Sequence, residues 1–514
     1  MMLTLQNPKP LFQGSNWDFK DLRNVYEAIE EVATQDLGLD VYPNQIEVIT
    51  AEQMLDAYAS IGLPLMYRHW SFGKRFSYHD ALYRKGLQGL AYEIVINANP
   101  CITYVMEENS IAMQTLVIAH AAFGHNHFFK ANNLFRQWTD ATAIIDYLEF
   151  ARGYIARCEE AHGQAAVERL LDAAHALQSQ GVHRYPRKRR PDLRSEEKRA
   201  RERREYQEQI YNDLWRTVPV RNARARESRD EHRRALMELP QENILYFLEK
   251  TAPRLQSWQR EILRIVRNVA QYFYPQRQTK LMNEGCATYC HYRLMTRLHE
   301  TGRIDDGSFM EFLQSHTNVI RQPHFDDPHY GGWNPYALGF AMMQDIERVC
   351  TRPTDEDRDW FPAFAGSGDT MGVLRDAWSN YRDESFVSQF LSPHLMRQWR
   401  MFHLVDDPDD PELRIDTIHN ERGFVRLRRT LSKSYDVAWT EPDIQVIDVD
   451  LEGDRRLVLH HRVTNGLQLD GDEAGHVLQH LADLWGYDVV LKEISPADGT
   501  VLREHLRSAA HPFA

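Results

Sequence analysis

Cysteine is scarce in this chain of 514 residues: Cys101, Cys158, Cys286, Cys290 and Cys350 form an odd, widely spaced set. That excludes a disulfide framework and predicts a reducing, cytoplasmic setting. Long apolar runs are also missing. Nowhere do about 18 apolar residues follow one another, so no transmembrane helix is expected. The opening "MMLTLQNPKPLFQGSNWDF" lacks a basic start followed by an apolar stretch, so no signal peptide is expected either. Positive charge is not in excess. The formal net charge is −13 and the pI is about 6.0, which argues against a general nucleic-acid binder while leaving room for a local basic patch. There is no P-loop, no GxGxxG after a strand, no GxSxG elbow and no internal repeat.

What is present is mostly helical periodicity. Residues 17–60 read as two helices around the turn "VYPNQ". "LAYEIVINANPCITYVMEE" (90–108) is rich in β-branched and aromatic residues and is broken by Asn-Pro, which predicts strand, turn, then strand or helix start. From Ile111 to about Phe135 the pattern turns helical, and long helices follow in "ATAIIDYLEFARGYIARCEEAHG" and "AAVERLLDAAHALQS". "RYPRKRRPDLRSEEKRARERREYQEQ" begins an arginine-dominated stretch over 184–235, a charged helix or linker that could also dock an acidic partner. Helical pattern resumes through "QTKLMNEGCATYCHYRLMTRLHE" and "NPYALGFAMMQDIERVC". In the latter, Asn334 is placed to cap and Pro335 to occupy the first helical position. The tail reads as strand, strand, helix, strand.

The expected fold is therefore a mostly α-helical main body with a short β segment near residues 90–106, plus a small C-terminal α/β module. A zincin-like core is one form such a body can take. The expected divisions are 1–183 (helical, with the His motif), 184–235 (charged), 236–435 (helical, completing one body with 1–183) and 436–514 (α/β).

Chemistry concentrates in two strings. "VIAHAAFGHNHFFKANN" (117–133) carries His120, His125 and His127. On an ideal helix His120 and His125 lie roughly 140° apart. Neither they nor any other pair here has the four-residue spacing of HExxH. Gly124 could permit a π turn, which closes at i to i+5 and would bring the two imidazoles into line. Three histidines on one helix also suit a plain hydrogen-bonded polar core. In "LMNEGCATYCHY" (281–292), Glu284, Thr288 and His291 share a face, and Gly285 and Ala287 are small enough for another helix to approach closely. Carboxylate and imidazole suit zinc, iron or manganese. Cys286 and Cys290 read as small buried apolar side chains. A Cys286/His291 nucleophile pair has no visible third partner.

These strings, with "WSFGKRF" (70–76), "GLAYEIVINANPCITYVMEEN" (89–109), "SWQREILRIVRNVAQYFYPQ" (257–276), "SHTNV" (315–319) and "NPYALGFAMMQDI" (334–346), resemble the stage V sporulation protein R (SpoVR) family over nearly the whole chain. The resemblance implies a cytoplasmic role in bacterial stress or sporulation physiology. It also implies association with a PrkA-type serine kinase and its co-encoded partner protein, and no established reaction. The family pattern His-x-x-x-Gly-His-Asn-x-Phe-Phe-Lys-x-Asn leaves His127 on an open position. It usually has tryptophan where Cys286 stands, which weakens a nucleophile role for that thiol. "MNEGCATY" is also similar to the Asn-Glu-Gly-Phe-Ala segment of gluzincin aminopeptidases, whose glutamate is a zinc ligand. The gluzincin general base is absent, since Ala121 stands in its place, so Glu93, Glu107 or Glu108 would have to replace it.

The expected metal ligands are His120, His125 and Glu284, for zinc or another divalent transition metal. Glu93, Glu108 and His291 are the expected catalytic residues, and Asn97, Asn126 and Asn283 the expected substrate-binding ones. The reaction class that fits is hydrolysis of an amide or related bond. The alternative is a non-enzymatic adaptor of the kinase complex.

Overall fold

The computed structural model describes residues 10–60, 66–84, 93–184, 237, 239–402, 404–405, 412, 414–415, 420–450 and 453–513. From residue 185 onward the charged stretch expected over 184–235 lies outside the described residues. Contacts divide the chain into two units. One joins Met1–Ala156 with Tyr272–Val437, and the other joins Arg157–Gln271 with Ala438–Ala514. Both expected classes of structure are present: a mainly helical body with a small sheet, and a C-terminal sheet module.

In the first unit the elements that build the site are α1 (Phe19–Gln35), β1 (Asn44–Ile49), α2 (Ala51–Ala59), β2 (Glu93–Ile96), β3 (Cys101–Met106), α3 (Ile111–Val117), a π-helix (Ile118–His125), α4 (Asn126–Ala131), α5 (Lys280–Glu300), α6 (Asp306–Val319), α7 (Pro335–Thr351) and α8 (Asp383–Phe390). Helix α1 starts at a capping box between Asp18 and Asp21 and buries Val25, Ile29 and Val32 on one stripe. Between α1 and α2 the expectation of two helices around "VYPNQ" omitted a strand. Residues 44–49 pair in parallel with β3, while β2 pairs antiparallel on its other side, giving the order β1-β3-β2. Ile46, Val48 and Ile49 are β-branched, and the segment closes at the Thr50 cap of α2, too short for a helical period to show.

The body closes where helices carry almost no side chain. A Cβ on Gly285 would meet the Gly339 backbone at 2.7 Å, and one on Gly339 would meet the Leu281 carbonyl oxygen at 2.4 Å. Helices α5 and α7 therefore cross backbone to backbone. Asn334 caps α7 and Pro335 opens it, as expected. At the start of α5, buried Asp383 accepts the N–H groups of Leu281 (2.8 Å) and Met282 (2.9 Å). Burial pushes its carboxyl up to about 7. Asp383→Ala should lower unfolding free energy by about 1–3 kcal/mol, because two buried donors lose their acceptor. Urea denaturation measures this, and wild-type stability would deny the aspartate its capping role.

In the second unit, β4 (Asp443–Val449), β5 (Leu457–Arg462), α9 (Gly471–Trp485), β6 (Val489–Ile494) and β7 (Val501–Arg507) form a four-stranded sheet in the order β4-β5-β6-β7. β5 and β6 run parallel across α9, and the other pairs are antiparallel. The final strand was not expected. "VLREHLR" lies at the sheet edge, mostly exposed and full of charge, which hides its period of two.

Candidate metal centre

The π-helix decides the geometry of the first motif. The Asn126 N–H donates to the Ala121 carbonyl, five residues back, so one wide turn separates His120 from His125. Their rings meet edge to face at 4.7 Å between centroids, instead of pointing apart as on an α-helix. Gly124 allows this turn to lie against α5, since a Cβ there would stand 2.6 Å from the Ala287 Cα.

Both imidazoles are buried and turned the same way. His125 Nδ1 donates to Asn283 Oδ1 at 2.9 Å, and its Nε2 lies 3.5 Å from Glu284 Oε2. His120 Nδ1 is 2.8 Å from His291 Nδ1, and its Nε2 lies 3.5 Å from Glu93 Oε1. Each ring thus has its far nitrogen occupied and its near nitrogen beside a carboxylate; His125, donating from Nδ1, presents a lone pair at Nε2, and His120 does so in the tautomer that carries its proton on Nδ1. The ligand atoms of Glu93, His120 and His125 lie within 4.8 Å of one another.

Electrostatics make the cluster conspicuous. Burial, and then the charge of Glu284, pushes Glu93 up to about 8. Burial, and then the neighbouring imidazoles, holds His120 and His291 well below the usual histidine range. Tyr336 on α7 lies beside Glu284, and its hydroxyl is raised, first by burial and then by the two carboxylates. Glu284 Oε2 is buried without a hydrogen-bond partner. Among the described residues no lysine or arginine pairs with Glu93 or Glu284. Buried carboxylates are normally paired with a cation or coordinate a metal. The residues present therefore fit a divalent cation: one orphaned oxygen of Glu284 and the carboxyl of Glu93 stand beside two imidazole Nε2 atoms.

The other expected site residues fall elsewhere. Glu107 and Glu108 are exposed after β3, and among the described residues neither pairs with a histidine of the cluster. His291 stands behind His120 rather than facing the carboxylates. Asn283 orients His125. Asn126 is committed to the chain before β1: its Nδ2 donates to the Tyr42 carbonyl and Asn44 Oδ1, and its Oδ1 accepts the Tyr42 N–H. Asn97 is buried, with Nδ2 donating to Thr139 Oγ1. His127 points away from the pair, where its Nδ1 meets the backbone of Asp40 and its ring packs edge-on against Trp378. Cys286 is buried, and desolvation raises its thiol well above the ordinary range, so it is held protonated.

Two residues of the site were not singled out from the sequence. His291 Nε2 contacts His316 Nδ1 at 2.8 Å, and Tyr336 reaches Glu284. Both lie inside strings that carry the family resemblance, "SHTNV" and "NPYALGFAMMQDI", and that was their one available signal.

A family model described as SpoVR like protein matches residues 16–440, and a second, described as SpoVR-like C-terminal domain, matches 442–496. Over 491 residues the chain is 53% identical to a protein of Escherichia coli (strain K12) named "Uncharacterized protein YcgB", covering 96% of this chain and 95% of that one. No solved structure matches it. No helix among the described residues is long and apolar enough to cross a membrane.

Proposed function

The chain belongs to the SpoVR-like protein family, and from that premise we propose that its buried histidine–glutamate cluster is a divalent transition-metal centre supporting hydrolysis of an amide or related bond. The observation that carries this reading is that two imidazole Nε2 atoms each lie 3.5 Å from a carboxylate, Glu93 or Glu284, and that no lysine or arginine among the described residues pairs with either acid. His120, His125 and Glu93 are the compact set and would hold the ion. We assign Glu284, expected from the sequence as a ligand, to a neighbouring role beside His125, 3.5 Å from its Nε2. Mixed nitrogen and oxygen donors suit zinc, and three protein ligands leave a position for substrate. The ion supplies Lewis acidity, polarising a carbonyl oxygen and making water nucleophilic near neutral pH.

The protein's own groups supply the rest. Glu284, with Oε2 lacking a hydrogen-bond partner and Tyr336 beside it, would accept a proton from the attacking water. Asn283 fixes the His125 ring. Burial of His120, His125, His291 and His316 lowers the local dielectric and strengthens these interactions.

Elemental analysis of protein purified without chelator tests the proposal. About one ion per chain is expected in the wild type, as a single closed set of donors requires, and none in His120→Ala/His125→Ala. Glu284→Gln should keep the ion but lose turnover by roughly 10²-fold or more. A metal-free wild type, or a metal content that the double variant leaves unchanged, overturns the reading. A purely regulatory role beside a PrkA-type kinase predicts instead that folded His120→Ala retains full cellular function.

A further inference from the structure

The three imidazoles of His120, His291 and His316 form a continuous chain. The contacts run Nδ1 to Nδ1 at 2.8 Å and Nε2 to Nδ1 at 2.8 Å. All three side chains are buried: His120 is 5% exposed, His291 3% and His316 4%. Aromatic rings wall the far end. Phe312 meets His291 edge-on at 5.8 Å, and Tyr292 and Phe340 flank His316 at 5.3 and 4.9 Å.

A neutral imidazole has one N–H and one lone pair. A chain of three neutral rings therefore has two self-consistent arrangements. In one, His120 Nδ1–H donates to His291 Nδ1, and His291 Nε2–H donates to His316 Nδ1. His120 Nε2 then carries a lone pair toward Glu93. In the other, every proton is reversed and His120 Nε2–H blocks the cluster. Changing one ring reverses all three: both states hold three ring protons, and passing from the first to the second takes a proton in at His120 Nε2 and releases one at His316 Nε2. All three rings are buried, and an unpaired charge is costly to bury, which favours the neutral chain.

We propose that His316 is a positioning residue: as the terminal acceptor of this chain it fixes the tautomer of His291, and through it makes His120 Nε2 a ligand. The inference rests on the metal-centre reading for its consequence, but the tautomer itself is observable without metal. It gives α6, which contributes nothing to the cluster directly, a defined task at the site.

The test uses the full chain labelled with ¹⁵N-histidine. Imidazole nitrogen shifts report which nitrogen bears the proton, and difference spectra against His291→Gln identify the ring. In metal-free wild type, His291 should carry its proton on Nε2. In His316→Ala that preference should be lost, and Zn²⁺ affinity, measured by chelator competition, should fall by about 10–100-fold. His316→Asn, whose side-chain carbonyl can accept from His291, should restore both. If alanine leaves a cavity that prevents folding, His316→Leu fills it without an acceptor and carries the same expectation. An unchanged His291 tautomer in a folded variant without an acceptor overturns the proposal, because a merely structural residue would alter stability and leave the proton in place. If wild type binds no Zn²⁺, the metal-centre reading fails by itself, and the tautomer result still decides the role of His316.

Discussion

Gly124→Ala should dismantle the cluster rather than trim it. The added Cβ would lie 2.6 Å from the Ala287 Cα, 3.0 Å from its Cβ and 3.2 Å from its carbonyl oxygen. The obstacle is helix backbone, so no side chain can rotate away. Nor can α5 retreat, since Gly285 holds it against Gly339 on the opposite side. The strain must go into the wide turn between His120 and His125, whose separation defines the site. Overpacking of this kind costs about 1–3 kcal/mol and occasionally more, and two fixed backbones put this case at the upper end. We expect a loss of about 3 kcal/mol in urea denaturation, together with loss of bound metal. Gly331→Ala is the control, because nothing lies within 4 Å of its Cβ position and it should be near neutral. A Gly124→Ala protein as stable as Gly331→Ala would mean that the close approach of the two helices is not a constraint.

The same glycine shows how far the sequence could be read. The spacing of His120 and His125 established that they could not meet on an α-helix, and Gly124 marked where the helix could widen. The π-helix supplies that condition. The small residues at 285 and 287 announced a helix crossing, though not that Gly339 and Gly124 were the partners. Glu93 was legible as an acid near the motif. Its place in the compact set was not, because it depends on β2 pairing with β3 and on that sheet lying beside the π-helix. His316 and Tyr336 reach the site from separate helices, and no local period encodes such convergence. The strands missed at 44–49 and 501–507 escaped for a related reason. β1 is stabilised by a parallel partner more than fifty residues away, and β7 by a sheet edge that tolerates charge.

Metal-free protein should be most stable near pH 6.5 and should lose stability on the alkaline side unless a divalent cation is added. On the acid side, His316 is held at about 4 in the fold against 6.5 unfolded. The unfolded chain takes up the proton first as pH falls below 6.5, so stability drops toward pH 4 by on the order of 3 kcal/mol from this group. His120 and His291 are depressed too and act in the same direction. On the alkaline side the sign reverses. Glu93 sits at about 8 in the fold against 4.5 unfolded. Between these values the native state binds more protons, so stability declines as pH rises from 4.5 to 8, by on the order of 5 kcal/mol in all, of which roughly 2 kcal/mol falls above pH 6.5. Asp383, at about 7, adds a decline that ends near neutrality. Below 6.5 the three histidines outweigh the two acids, and above it only the acids remain, which sets the maximum. A cation on Glu93 replaces the proton that burial forces on it, so Zn²⁺ should flatten the limb between pH 7 and 8. Glu93→Gln should flatten the same limb without metal while removing the response to Zn²⁺. Thermal melts across pH 5–9, with EDTA or with Zn²⁺, read both effects. An alkaline limb that persists in Glu93→Gln would place the buried proton on another group and remove Glu93 from the ligand set.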